Sequence, residues 1–530
     1  MGPRRQGKQV TVWRLGDVQP LLLIHPPVAK ACEPPAGIAR LAGALRNAGI
    51  ACRVLDANLE GQLHLLAQQS ATSDTWTIRA VKNRAAHLAT LRSSAAYRSP
   101  ARHTRAVSDL NRLLAVAGQS CGATIGLADY QQEGWSPLSS RDLLAAAAHP
   151  ERNPFFPWFS QRLPELLAGV GVVGLSLNYL SQALCTFAIL GFIRRQAPAT
   201  MIVLGGGLVT SWLRRPGWRN PFGALIDHLV AGPGEAALLD LCGTAPGPRP
   251  ALPDYGALPL DDYLAPGRIL PYSTAGGCYW NHCTFCPERA EGSVYQPLPV
   301  EQALDELHAL CASHRPALVH LLDNAVSPAL LRGLVDRPLG VPWYGFARID
   351  AQLADPDFCR ALCRSGCVML KLGLESGDQG VLDRLHKGID LSTAARALAS
   401  LRGAGIAVYG YLLFGTPAED EAAARRTLEF VARHGDTIDY LNIALFNLPI
   451  GDRTAVAYAT EPFYAGDLSL YTGFRHPQGW ERQRVRQFLS REFTRHPAVA
   501  KILRRDPPLF TSNHAPLFAV AGLRCPTECS

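Results

Sequence analysis

"AGGCYWNHCTFCPERA", residues 275–290, sets Cys278, Cys283 and Cys286 within nine residues, with His282 beside the second cysteine. Such a loop can hold a metal in two ways. A structural zinc site takes four ligands in a tetrahedron. Here His282 and Cys283 are neighbours, and adjacent side chains converge on one ion only with strain. Paired C-x2-C knuckles are absent, and the next cysteine, Cys311, is 25 residues on, inside a predicted helix. A cubane iron–sulfur cluster takes thiolates, ordinarily four. Three leave one iron open, and an open coordination position marks a catalytic rather than a structural centre. The "AGG" before Cys278 permits a tight backbone. The spacing favours iron–sulfur over zinc.

The pattern around the loop says what carries it. Downstream, "ALVHLLD" (317–323), "PWYGFARI" (342–349), "CVMLKLGLE" (367–375), "IAVYGYLLFG" (406–415) and "IDYLNIALF" (438–446) read as strands. Helical stretches separate them at 298–313, 327–336, 356–365, 378–404 and 418–434. With a strand just before Cys278 there are six strand–helix units, a partial (β/α)6 barrel with its site at the C-terminal strand ends. Upstream, "PLLLIHPP" (20–27), "ACRVLDAN" (51–58), "VGVVGLSL" (170–177), "MIVLGGG" (201–207) and "IDHLVAGPGE" (226–235) alternate with helices over 37–49 and 181–195. That rhythm predicts an α/β, doubly wound Rossmann-like domain whose strand-end loops gather into a ligand crevice.

The division expected is 1–245 for the first domain, with a mostly helical insertion at about 60–165. A connector follows at 246–270, where seven prolines fall between Pro246 and Pro271. The barrel occupies 271–450 and a helical C-terminal extension 451–530. The basic stretch 480–507 reads as the solvated face of a packing helix. Cys359, Cys363 and Cys367 recur every four residues, but Gly366 breaks the helix and Cys367 opens a strand, so they read as buried thiols. Cys525 and Cys529 end the chain as a redox pair, a ligand pair or a frayed tail.

Composition narrows the class. Apolar residues make up 48% and charged residues 18%, a globular balance. A net charge of +8 over 530 residues is mild, so nucleic acid is not an expected partner. Fourteen clustered cysteines are too few for a disulfide scaffold and suit a reducing, cytoplasmic setting. The N-terminus lacks the apolar core of a secretory signal. The apolar run 170–193 contains Ser176, Asn178, Ser181 and Gln182, and reads as strand, turn and buried helix rather than a membrane span.

The ordered motifs resemble the radical S-adenosylmethionine (SAM) superfamily, specifically members with an N-terminal cobalamin domain. The cysteine loop is C-x4-C-x2-C where the usual spacing is C-x3-C-x2-C. "GLESG" (373–377) resembles the fourth-strand motif of such enzymes. "FGTPAED" (414–420) resembles their G-x-P-G-E turn, with Ala418 in place of glycine. The opening "IHPP…EPPAGIARLAGALRNAGIACRVLDAN", with "VGLSLNY", "LGGG" and "AGPGE", resembles the cobalamin domain.

The resemblance implies that Cys278, Cys283 and Cys286 bind a [4Fe–4S] cluster whose open iron takes SAM. Phe285 stands at the adenine position, whereas Tyr279 and Trp280 read as packing aromatics. Asp323 and Asn324 stand near SAM, and Arg348, Glu375 and Ser376 come from the third and fourth strands to the same mouth. A charge inside an apolar strand is costly unless paired, which favours an active-site role for Arg348 and Glu375. Cobalamin is expected in a cradle of Pro26, Pro27, Ser176, Asn178, Gly205, Gly206, Gly232 and Glu235. It is expected without a histidine ligand, since no D-x-H-x-x-G run is present and His25 reads as structural. The implied reaction cleaves SAM to a 5′-deoxyadenosyl radical and methylates an unactivated carbon of a small molecule or peptide. A one-electron donor such as flavodoxin or ferredoxin would feed it. The alternatives are cobalamin-linked rearrangement, cyclisation or oxidation, methylthiotransfer, and a non-enzymatic cobalamin- or zinc-binding module.

Overall fold

The computed structural model describes residues 20–68, 74–247, 250–508 and 514–520. Residues 1–17 of the N-terminal reading, and Cys525 and Cys529, lie outside the described residues.

The first sheet has five parallel strands: β1 (Leu21–His25), β2 (Cys52–Asp56), β3 (Val172–Ser176), β4 (Met201–Gly205) and β5 (His228–Leu229), in the order β2-β1-β3-β4-β5. Alternation along β1 decides what covers each face. Leu21 and Leu23 pack on the helices Ala36–Asn47 and Glu235–Leu241 through Ile38, Leu45, Leu238 and Leu239. Leu22 and Ile24 pack on the insertion through Leu110, Leu114, Phe155 and Phe159. The insertion is thus the layer that buries one face of this sheet. It is helical apart from a short hairpin, Ala123–Ile125 with Tyr130–Gln132. The strand order reverses between β1 and β3, so the crevice opens beyond the strand ends on either side of that point.

The second sheet has six parallel strands in sequential order: β6 (Ile269–Tyr272), β7 (Leu318–Leu321), β8 (Trp343–Ala347), β9 (Cys367–Glu375), β10 (Ala407–Phe414) and β11 (Tyr440–Leu445). Outward-facing Val319, Leu321, Leu370, Leu372 and Val408 pack on the surrounding helices through Leu307, Leu331, Leu362 and Leu398. Inward-facing Leu318, Tyr344, Met369, Tyr409 and Tyr440 form a floor with Ala515. Cys359, Cys363 and Cys367 are buried, with helix Pro356–Arg364 ending before Gly366 (φ 105).

Three segments differ from the sequence expectation. The stretch read as one helix over 378–404 is two, Gln379–Arg384 and Leu391–Ala404, parted by His386 (φ 51) and Gly388 (φ 65). Left-handed backbone at those positions stops a right-handed helix. The second half of the proline-rich connector is an ordered strap. Tyr255, Tyr263 and Leu264 are buried, the Tyr263 hydroxyl donates to Asp56 Oδ2 at 2.6 Å, and Asp254 N–H donates to Ala39 O at 2.8 Å. The C-terminal extension is not wholly helical: after a short 3-10 turn, Arg453–Ala457, its strands Thr460–Glu461 and Tyr471–Phe474 form a small antiparallel sheet with Leu448–Pro449 of the preceding segment. Its helices then dock by burying Trp480, Val485, Phe488, Phe493 and Ile502 while Arg484 and Lys501 pair with Glu421 and Asp436.

Candidate active site

The cysteine loop leaves β6 at the open end of the barrel. Thr274 anchors its start, its N–H and hydroxyl both donating to the Asp323 carboxylate, at 3.2 and 2.7 Å. Asp323 is 2% exposed, and burial raises its carboxyl above the ordinary range. Gly277 (φ 69) turns the chain into the loop, Asn281 within the longer first gap takes left-handed backbone (φ 46), and His282 is exposed. Cys286 ends the loop as the cap of a single helical turn, Pro287–Ala290. All three thiols are half-buried. Burial pushes the Cys283 and Cys286 thiols up, while Lys387 and Arg348 act against that rise at Cys283. Among the described residues no three His, Cys, Asp or Glu side chains close on one ion-sized point. A cubane sets each thiolate on its own iron and requires no such convergence.

The loop is backed by positive charge. Arg348, at the end of β8 and 9% exposed, reaches Cys283 Sγ at 4.0 Å and donates to the Lys387 carbonyl. The Trp280 indole covers its guanidinium, 4.1 Å from ring centroid to Cζ, and donates to the His386 carbonyl at 3.0 Å. Glu375, at the end of β9 with φ 61, pairs with Lys387 Nζ at 2.7 Å, both side chains nearly buried. Lys387 Nζ also stands 5.6 Å from the centre of the Phe285 ring. Two glycines make this assembly possible. A Cβ at Gly373 would fall 2.5 Å from Glu375 Oε1, and one at Gly388 would fall 2.2 Å from Trp280 Cζ2. A thiolate-bound cluster is anionic, and buried anions are tolerated beside hydrogen-bonding cations. The donor set and its surroundings therefore fit a [4Fe–4S] group.

Other sequence-predicted residues sit apart from this assembly. Ser376 is buried under helix Glu421–Arg433, its hydroxyl 3.1 Å from Thr427 Oγ1, and holds the backbone of Asp378. Asn324 is exposed beyond β7. The Asp323 carboxylate is engaged by the loop it fastens.

Between the two sheets lies a cavity of about 1170 Å³. One wall is the crevice of the first sheet: Ser176, Asn178, Gly205, Gly206, Gly232 and Glu235, together with Gly37 and Arg40 of helix Ala36–Asn47. The other wall is the barrel mouth, Ser273–Gly276 and the turn after Cys286. Asn178 Oδ1 accepts from Gly207 N–H at 2.9 Å, and Gly232 N–H donates to Thr210 Oγ1 at 2.9 Å. Gly206 has φ 109, and a Cβ there would meet Leu177 O at 2.4 Å. Ser211 donates to Glu291 at 2.6 Å and Arg214 to Ser293 at 2.6 Å, tying the first half to the cysteine-loop region. Pro26 and Pro27 are buried away from this lining, where the Pro26 carbonyl accepts from Gln182 Nε2 at 2.7 Å. His25 is likewise buried outside the lining. A glycine-lined space of this size fits the bulk of a cobalamin.

Sequence reasoning missed Lys387, and it missed Lys371 and Glu33 inside the barrel. The rule that singled out Arg348 and Glu375, a charge within an apolar strand, applies equally to Lys371 in "CVMLKLGLE". Lys387 carried no such signal, because 378–404 reads as one amphipathic helix.

Comparison with known proteins agrees with this geometry. Residues 272–431 match the radical SAM superfamily. The chain is similar to an uncharacterized methyltransferase of Pyrococcus horikoshii, 24% identical over 248 residues, which is 42% of this chain and 52% of that protein. It is also 24% identical over 177 residues to a bacteriochlorophyllide d C-12(1)-methyltransferase of Chlorobaculum tepidum, covering 32% of this chain and 38% of the other. These matched stretches span about half the relatives' length or less. Among solved structures, the radical SAM methyltransferase TsrM from Kitasatospora setae, with tryptophan substrate and a SAM analogue bound, aligns over 96% of this chain and 95% of its own (TM-score 0.53, 16% identity). The cobalamin-dependent SAM radical enzyme OxsB aligns over 80% of this chain and 53% of its own (TM-score 0.50, 15% identity). Residues 272–431 thus carry the match to the radical SAM superfamily, and the chain as a whole has a two-sheet fold similar to that of TsrM and OxsB.

Proposed function

We propose that this protein is a radical SAM enzyme that methylates an unactivated carbon with the help of cobalamin. The observation that carries the reading is the shared cavity: the glycine-lined crevice of the first sheet and the two segments that flank the cysteine loop, Ser273–Gly276 and the turn after Cys286, line one continuous space. When bound, the cluster and SAM supply a carbon radical and cobalamin supplies a methyl group.

The chain's own residues do the rest. Cys278, Cys283 and Cys286 hold the cluster. Arg348 and Lys387 offset its charge and fix the loop against β8 and β9. Phe285 and Glu375 line the SAM side of the mouth. Ser176, Asn178, Gly205, Gly206, Gly232 and Glu235 shape the cobalamin cradle, and no histidine belongs to its lining. A one-electron donor such as flavodoxin or ferredoxin and a cytoplasmic setting belong to the same reading. Among the described residues no helix is long and apolar enough to cross a membrane.

Anaerobic reconstitution tests the reading. The expected result is about four irons per chain, one extracted corrinoid, dithionite-dependent SAM cleavage, and label from methyl-labelled SAM in the product. One zinc without SAM cleavage would overturn it, and an unlabelled product would replace methylation with rearrangement, cyclisation or oxidation.

A further inference from the structure

Below the cysteine loop the barrel interior is not filled. Phe346, Tyr411, Asn442 and Ala444 point inward from β8, β10 and β11, yet all are only half-buried. Under them, on β9, lies Lys371, 3% exposed. Its Nζ stands 5.2 Å from the Tyr344 ring centre and 5.0 Å from the Phe346 ring centre, and among the described residues it has no hydrogen bond and no carboxylate within 4.0 Å. A buried ammonium is costly unless it is paired. Burial pushes this one down to about 8.

The groups around it explain what is missing. Glu33, from the loop after β1, is taken by His320 Nδ1, 3.0 Å from each carboxylate oxygen. His320 stacks on Tyr344 at 4.3 Å, and burial lowers its pKa, which keeps the ring neutral. Lys30 is exposed at the rim and, like Glu33, bears on Lys371 electrostatically. Because Glu33 is committed to His320, Lys371 feels it only at a distance and keeps no direct carboxylate partner among the described residues.

We propose that the barrel interior binds a substrate carrying a carboxylate, with the Lys371 ammonium as its ion-pair partner and Phe346 and Tyr411 flanking an apolar body. A single ammonium with the Glu33 carboxylate nearby suits a monoanion better than a phosphate dianion. Lys371 lies four residues below Glu375 on the same strand, about 13 Å at strand rise. The carboxylate and the reacting carbon at the mouth are therefore well separated in the substrate. The inference rests on the radical SAM reading for the position of the reacting end, but not for the anion site itself.

Equilibrium dialysis of the anaerobically reconstituted full chain tests it, with phenylacetate, its neutral amide phenylacetamide, and phenyl phosphate as probes. The expected result is a preference of about tenfold or more for phenylacetate over the amide, as a charge-assisted contact gives. The preference should vanish in K371M, which keeps the aliphatic stem, and persist in K371R. Equal binding of acid and amide to the wild type would overturn the proposal without any variant, and so would a preference that survives K371M. Tighter binding of phenyl phosphate would overturn the carboxylate assignment. Iron content and SAM cleavage measured on the same samples separate the two readings. A lost preference with intact SAM cleavage removes the anion site alone, whereas an intact preference without SAM cleavage removes the radical reading alone.

Discussion

The two halves of the molecule hold opposite chemistry, one along the shared cavity and the other behind the barrel mouth that closes it. The first sheet presents glycines, backbone amides and small polar side chains, and the ion pairs at its lining, Arg40–Glu235 at 2.9 Å and Arg214–Glu291 at 3.9 Å, are partly exposed. The barrel holds buried charge: Arg348 against Cys283, Lys387 against Glu375, His320 against Glu33 of the first half, and Lys371, which among the described residues has no carboxylate within 4.0 Å. A shape-fitting wall suits a large cofactor held by its bulk. A charged wall suits an anionic cluster and a reaction in which charge must be placed. If that contrast is correct, perturbing the barrel should change chemistry first and perturbing the crevice should change cofactor retention first.

The sharpest way to break the contrast is at the cysteines. C283A is expected to lower SAM cleavage by at least about a thousandfold, since a cubane normally draws on every thiolate offered. Iron per chain should fall with it, while extracted corrinoid stays near the wild-type level. Corrinoid lost in parallel would mean that the two walls are one site, not two.

The reciprocal change is G206A. Its Cβ would meet the Leu177 carbonyl at 2.4 Å in a backbone region that side chains rarely adopt, so the loop after β4 must move. Bound corrinoid is expected to fall about tenfold or more, a strain of roughly 1–3 kcal/mol being enough to displace the loop. Iron content should hold. A variant that retains corrinoid fully would show that the crevice tolerates reshaping and does not read shape.

How much of this was legible in the sequence follows from the kind of signal each residue leaves. The cysteine loop is local, with three ligands within nine residues, so its chemistry could be read before any fold was known. The strands of both sheets are short apolar runs bounded by glycine or polar residues, and their order follows from alternation. Arg348, Glu375 and Lys371 break an apolar strand, and that interruption is visible in one dimension. Lys387 is different. Its role depends on left-handed backbone at His386 and Gly388, which turns a surface lysine of one expected helix into the partner of a buried glutamate. Pro26 and Pro27 erred the other way. They end β1 at the switch point, as crevice residues do, but the chain there turns under helix Leu180–Gln196 instead of toward the cavity.

The smallest expected effect comes from comparing like with like across the two walls. Lys387–Glu375 and Arg40–Glu235 are both single ion pairs, with side chains 8% and 12% exposed in the first and 29% and 23% in the second. Removing one partner of a buried pair strands an uncompensated charge, so K387M should cost about 3–5 kcal/mol in chemical denaturation. A K387M/E375L double variant should recover most of that loss, because no charge is left behind. R40M should cost less than about 1 kcal/mol, because water screens the exposed pair and solvates Glu235 once it is alone. Equal costs for K387M and R40M would mean that the barrel pair is as well hydrated as the crevice pair. The difference between the two walls would then lie in their shapes and not in their charges.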